Sequence, residues 1–248
     1  MKIPLEIRLA IRDIRGGIGG YKIFIASVIL GVASIAGVGS LSESILGGIA
    51  ADGRKILGGD ISIRVNHRPI TKNQLNWLSK RAKISRVSSM RSMAREKKGS
   101  LFTLVNLKAI DERYPLFGKL KLTPKTELAR ILAFHNGTWG AAIDPRIAEK
   151  LKLQLHDNVS IGNTQFRVSA FVHSKPDRNN SLRALTQGPP FIVSDQSLST
   201  TGLVMPGTQI YYEYRLKLPQ KTNLEDFKNR LSKAFPNAGW RVRDRETA

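Results

Sequence analysis

IFIASVILGVASIAGVGSLS, residues Ile23 to Ser42, runs for twenty positions without a charge. As a helix rising about 1.5 Å per residue, it covers roughly 30 Å, the hydrocarbon thickness of a bilayer. Ten of its residues are large and apolar. At about −0.3 to −0.6 kcal/mol each on an insertion scale, they favour membrane entry by roughly 3 to 6 kcal/mol. The other ten are Gly, Ala and Ser, and they recur at helical spacing: Ser27 with Gly31, Ala33 with Gly37, Ala36 with Ser40. Such pairs let two helix backbones approach closely in lipid. The pattern predicts a transmembrane helix that packs against other helices; a single tolerant anchor is the plainer alternative.

The flanks set an orientation. Lys2, Arg8, Arg12, Arg15 and Lys22 precede the span, against Glu6 and Asp13. The twenty residues after it hold Arg54 and Lys55 against Glu43, Asp52 and Asp60. The positive-inside bias predicts a cytoplasmic N-terminus, with residues after about 43 outside. Ser34-Ile35-Ala36 resembles a signal-peptide cleavage site, but the apolar run exceeds the usual core and the charged leader is long. A secreted basic domain after cleavage is therefore a lesser reading. A mitochondrial presequence is disfavoured by Glu6 and Asp13 in the leader.

Over 248 residues the mean hydropathy is −0.20, which excludes a polytopic membrane protein and leaves one span plus one or two modest domains. The absence of cysteine suits an oxidising exterior. The net charge of +21 raises nucleic acid as a partner. Against it, the cations are dispersed between predicted strands and the aromatics do not interleave with them. The densest run, RSMAREKK from Arg91 to Lys98, contains Glu96 and reads as a solvated hairpin. An anionic membrane surface suits this charge better, so membrane lipid is the expected partner and nucleic acid is not.

Residues 3–18 place Ile7, Ile11, Ile14 and Ile18 on one helical face and Arg8, Arg12 and Arg15 on the other. That predicts an amphipathic helix on the inner membrane surface. Gly16-Gly17 and Gly19-Gly20 end it; with Lys22 they do not fit the spacing of a phosphate-binding loop. Past the span, the helix is expected to continue through Ile45, Leu46, Ile49 and Ile56 to Gly58-Gly59. DISIRV, residues 60–65, alternates as a half-buried strand, and Thr71 can cap a short helix carrying Leu75, Trp77 and Leu78. Two long strands follow, about 84–95 and 100–110, turning near Lys97-Lys98-Gly99. Residues 111–140, with Pro115, Gly118, Pro124, Gly137 and Gly140, read as a looser stretch. Asp144-Pro145 opens a helix through Leu151. Strands at about 158–162 and 164–172 pair across Gly162-Asn163, and another lies near Phe191. Residues 175–190 are polar. QIYYEYRLKL (209–218) is a strand, a helix at about 222–235 carries Leu224, Phe227, Leu231 and Phe235, and Trp240 to Arg243 is the last strand.

The expected fold class is therefore α+β: one N-terminal transmembrane helix, then a split βαβ sandwich built from both ends of the exterior region, with a small β-rich subdomain inserted. The expected parts are 1–20 (leader helix), 21–57 (span and extension), 58–111 (first part of the sandwich), 112–205 (inserted subdomain) and 206–248 (second part).

Chemistry is sparse. His67, His135, His156 and His173 lack ligand spacing, and no G-x-S-x-G elbow occurs. Asp111-Glu112 is a carboxylate pair without an acid/base partner, and Asp177-Arg178 reads as solvated. Asn136-Gly137-Thr138 fits a glycosylation pattern too short to carry weight. The expectation is a non-enzyme with no catalytic, cofactor-binding or metal-binding residues and no cofactor.

The order of segments resembles the N-terminal part of MacB/FtsX-type ABC transporter permeases, and among them the large YbbP-like permeases. The residues that carry this are LAIRDIRGG (9–17), ILGGDISIRV (56–65), LVNLKAID (104–111), YPLFG (114–118) and AAIDPRIAEKLKLQLHDNVSIGNTQFRVSAFV (141–172). The resemblance covers essentially the whole chain. One departure is His156-Asp157, where the family usually has Gly-Asp. The resemblance implies a MacB-like periplasmic domain and a cytoplasmic ATPase subunit as partner. It also implies a second permease unit, and export or extraction of a lipid-like or hydrophobic substrate across the bacterial inner membrane. Because a second span is expected after the periplasmic domain, the chain reads as the N-terminal fragment of a longer permease or a degenerate gene product. The alternative is a membrane-anchored periplasmic binding or scaffolding module without transport activity.

Overall fold

The computed structural model describes residues 22–40, 54, 57–97, 100–174, 188–220 and 222–244. The chain divides into two compact units, Met1–Ala50 and Ala51–Ala248.

In the first unit, α1 (Lys22–Ser40) is, among the described residues, the one helix long and apolar enough to cross a membrane by length and composition. Its apolar side chains are bare: Ile23 is 81% exposed, and Phe24, Leu30, Ile35 and Val38 are exposed with it. Where a Cβ would stand on Gly31, Gly37 or Gly39, nothing lies within 4 Å. Two hydroxyls turn back into the helix. Ser27 Oγ donates to Phe24 O at 2.7 Å and Ser34 Oγ to Leu30 O at 2.8 Å. That satisfies them without water, as lipid demands. The predicted leader helix and most of the predicted extension, 41–53 and 55–56, lie outside the described residues.

In the second unit the chain runs β1 (Ile61–Asn66), α2 (Lys72–Ser79), β2 (Lys83–Glu96), β3 (Phe102–Ile110), β4 (Lys121–Thr123), α3 (Leu128–Leu132), β5 (Phe134–His135), β6 (Thr138–Ile143), α4 (Pro145–Leu151), β7 (Asn158–Ile161), β8 (Thr164–Ser174), β9 (Pro190–Ser194), α5 (Asp195–Leu198), a 3-10 turn, β10 (Tyr211–Lys217), α6 (Leu224–Ala234) and β11 (Arg241–Asp244). The β1-α2-β2 and β10-α6-β11 halves interleave into an antiparallel sheet of order β11-β1-β10-β2. This is the split βαβ arrangement.

Local chemistry sets its helices. Thr71 and Gln74 form a capping box at α2: Gln74 N donates to Thr71 Oγ1 at 3.3 Å and Thr71 N to Gln74 Oε1 at 2.9 Å. Asn223 caps α6 by accepting from Glu225 N at 2.9 Å. Both helices cover one sheet face, where Leu78, Leu224, Phe227 and Leu231 join Ile61, Ile63 and Leu216 in the core. Trp77 lies between them, 5.9 Å from Phe227 and 5.7 Å from Phe235.

The inserted strands close a ring with β2 and β3. β2 pairs β3, β3 pairs β9 in parallel, β9 pairs β6, β6 pairs β8, β8 pairs β7, and β7 returns to β2. This six-strand ring is filled by Ala94, Leu107, Ile143, Ile161, Phe166, Val168 and Phe191, with the Phe166 and Phe191 rings 5.6 Å apart. Closure removes free edges.

Residues 111–140, expected to be loose, are the main correction. They carry β4, α3, β5 and the start of β6, and β6 lies within the ring. Leu122, Ile131 and Leu132 form a second, smaller core with Tyr114, Val87, Ile110 and Ile192 on the outer face of the sheet. A Cβ on Gly140 would stand 1.8 Å from Ile131 O, so β6 approaches α3 only because glycine is there. The turn expected at Lys97-Lys98-Gly99 is described only at Lys97, and the hairpin is closed by Glu96 N to Leu101 O at 3.0 Å. Most of 175–190 lies outside the described residues.

Candidate functional site

The residues singled out in the sequence for chemistry are scattered. His67 follows β1 with φ 64°, its Nδ1 3.4 Å from Thr208 O. His156 occupies a left-handed corner, φ 76°. His173 Nε2 is 3.1 Å from Thr123 Oγ1, and His135 is exposed in β5. Asp111 is structural: it accepts from Ser85 Oγ at 2.7 Å and from Arg86 N at 2.8 Å, joining the end of β3 to β2. Asn136 and Gly137 are the left-handed turn before β6. Asp177-Arg178 lies outside the described residues. Among the described residues, no group of three or more His, Cys, Asp or Glu side chains could hold a metal ion.

What the structure gathers instead is a junction where the chain enters β1. Gly58 has φ 72°, and a Cβ there would meet Arg215 Nη1 at 2.7 Å. A Cβ on Gly59 would meet Leu216 O at 3.0 Å. These two glycines let the entering segment lie directly on β10. Asp60 then clamps it. Its N donates to Leu216 O at 2.8 Å; its carboxylate accepts from Leu218 N at 2.9 Å and from Arg54 Nε at 2.8 Å.

Arg215 is buried on the same side. Its Nη2 donates to Glu213 Oε2 at 3.0 Å, and Glu213 Oε1 accepts from Ser62 Oγ at 3.0 Å. The YPLFG segment closes over this group: the Arg215 guanidinium lies 5.4 Å from the Tyr114 ring, and Phe117 lies 6.0 Å from the Arg54 guanidinium and 5.0 Å from Lys217 Nζ. Cation–ring contacts of this kind hold charge against an apolar surface. Three stretches far apart in sequence, Gly58–Asp60, Tyr114–Phe117 and Glu213–Leu218, thus meet at one place. The sequence marked the first two as resembling the permease family but gave no sign that they touch.

A second, half-exposed charge sits on the helix-covered side. Arg86 of β2 pairs with Asp195 of α5. Burial opposes its charge, but Asp195 outweighs this and raises its pKa. This pair fastens α5 to the sheet.

The fold resembles that of a solved periplasmic region of a transporter. The crystal structure of the periplasmic region of MacB from Actinobacillus actinomycetemcomitans aligns with a TM-score of 0.52 at 16% identity, covering 78% of this chain and 92% of that one. The extracellular domain of the noncanonic ABC-type transporter YknZ from Gram-positive bacteria aligns with a TM-score of 0.45 at 16% identity, covering 71% of this chain and 89% of that one. In sequence, the chain is similar to the uncharacterized ABC transporter permease YbbP of Escherichia coli (strain K12), 24% identical over 190 residues. That match covers 75% of this chain and 22% of the relative, so the chain spans less than a quarter of the length of the curated relative it matches. No protein-family model matches the chain.

Proposed function

We infer that the chain works as part of a permease subunit of an ABC transporter, coupling a cytoplasmic ATPase to a periplasmic domain for export or extraction of a lipid-like or hydrophobic substrate. The observation that supports this most is that one chain carries both a bare apolar helix of bilayer length and a MacB-type periplasmic fold. In this reading, α1 crosses the inner membrane with the N-terminus in the cytoplasm. Its stripes of small residues face the helices of a second permease unit or of the same one. The parts follow the sequence boundaries: leader 1–20, span and extension 21–57, and a periplasmic sandwich of 58–111 and 206–248 around 112–205.

The domain is non-catalytic here, and its role is mechanical. Within the sheet domain, the Arg54–Asp60–Leu218 clamp and the glycines packed on Arg215 hold the segment that enters β1 against β10.

Affinity purification of the full chain from bacterial membranes tests the reading. A nucleotide-binding ATPase subunit co-purifies with the parent and is lost when Ile7, Ile11 and Ile14 are made polar. Recovery of the chain from the membrane with no ATPase in either case would instead leave the anchored binding or scaffolding module.

A further inference from the structure

Among the described residues, the sheet face opposite α2 and α6 is exposed toward its ends and edges, while Ser62, Ser85, Val87, Asn106, Ile110 and Arg215 on it are buried. In antiparallel strands, residues directly opposite each other point to the same side. Register therefore places Arg241 and Arg243 of β11, Arg64 of β1, Lys217 of β10, Lys83, Arg91 and Arg95 of β2 and Lys108 of β3 on this one face, with Arg215 of β10 buried among them under the YPLFG segment. One carboxylate, Glu213, shares it among the described strand residues, and it already accepts from Ser62 and Arg215.

Arg64 stands between Arg241 of β11 and Glu213 of β10, and Lys83 stands directly opposite Lys217. Like charges set across a ladder destabilise it. The Arg64 guanidinium is spread over the Tyr211 ring, 4.1 Å from its centroid. At the far end of the same face the cations adjoin apolar side chains: Met93 lies opposite Leu104 and Arg95 opposite Phe102, with Phe102 64% exposed. An arginine-rich face ending in exposed Phe, Leu and Met matches the chemistry of a phospholipid surface, with anionic phosphates above and acyl chains beneath. Nucleic acid would use the cations but not the Met93–Leu104 end.

We propose that this face of β11, β1, β10, β2 and β3 docks on the anionic phospholipid headgroups of the bilayer. The inference rests on the reading that α1 lies in that bilayer, and it assigns the domain a resting contact that the transport cycle would make and break. The absence of cysteine makes the test clean. The full chain is reconstituted into nanodiscs of phosphatidylcholine alone or mixed with phosphatidylglycerol, each with a trace of headgroup-nitroxide lipid. A fluorophore is carried at Asn66→Cys on this face, or at Lys80→Cys beside α2.

Quenching at position 66 is expected to rise severalfold with phosphatidylglycerol, while position 80 stays unchanged. Changing exposed Arg91, Arg241 and Arg243 to Gln removes the rise, with each weakening the contact about fivefold. Equal quenching in both discs, an equal response at position 80, or an undiminished response in the triple variant overturns the proposal. So does protection of position 66 by a single-stranded oligonucleotide when phosphatidylglycerol has no effect. A chain that fails to enter the nanodiscs overturns the membrane reading itself, whereas one that enters without a headgroup response overturns this inference alone.

Discussion

Asp60, with its side chain 5% exposed, accepts from Arg54 Nε at 2.8 Å, and Arg54 is 43% exposed. The pair is asymmetric. The carboxylate sits in the sheet and also takes Leu218 N, while the guanidinium reaches in from the segment that leads to β1. Removing the buried partner should therefore cost more than removing the exposed one. Asp60→Ala is expected to lower stability by about 2–4 kcal/mol, because it leaves Leu218 N without its carboxylate. Arg54→Ala is expected to lower it by about 1 kcal/mol, screened by solvent. Urea unfolding of the full chain in detergent, followed by tryptophan fluorescence, measures both; equal losses would contradict the asymmetry.

Gly58 presses on Arg215 in a left-handed conformation. Gly58→Ala is expected to cost about 1–2 kcal/mol for the backbone alone, and more as the buried guanidinium shifts. Gly58→Asn, which tolerates that backbone better, should lose less backbone energy than Gly58→Val. The unfolding midpoints of the three variants give the order.

His156 holds a left-handed corner, its N donating to Val168 O at 2.7 Å while Asp157 accepts from Gln154 N at 2.7 Å. The related permeases are expected to carry glycine there. His156→Gly relieves the Cβ crowding, and a gain of about 1 kcal/mol is expected, read as a higher melting temperature.

How much of this could be read in advance depended on the range of the signal. DISIRV alternates, Thr71 with Gln74 caps, and Gly162-Asn163 turns; each is a local feature, and β1, α2 and the β7–β8 hairpin fall where these features put them. β6 was missed because TWGAAI is covered on both sides. It has no alternation to show, and its Gly140 looks like a breaker although it serves a close approach to Ile131. Ring closure by β7 on β2 joins residues more than sixty positions apart and leaves no local trace. The junction is similar: Gly58, Tyr114 and Arg215 were legible singly, as turn, aromatic and strand residues. The cations looked dispersed between strands because they alternate with core residues. Register, invisible in the sequence, collects them on one face.

Alkaline pH should weaken the domain. Burial raises the phenol pKa of Tyr214, partly offset by the hydrogen bond from Ile70 N, and burial also raises Tyr212. Lys228 is raised by its hydrogen bonds to Asp244 and then Glu225. All three hold their protons more tightly folded than unfolded. Their contribution is complete below the unfolded values near about pH 10, and it falls as pH rises beyond that toward the folded ones. Tyr214→Phe is expected to flatten the decline. Unfolding midpoints measured from neutral to strongly alkaline pH, parent against variant, check the sign.

The central claim is that α1 stays in the inner membrane and holds the sheet domain outside. Labelling of Lys80→Cys by a membrane-impermeant maleimide in cells expressing the full chain, with the outer membrane opened and the inner membrane intact, addresses it most directly. The account predicts labelling of a membrane-bound chain before the inner membrane is breached. Labelling that appears only after lysis, or a labelled chain recovered free of membranes, would contradict it.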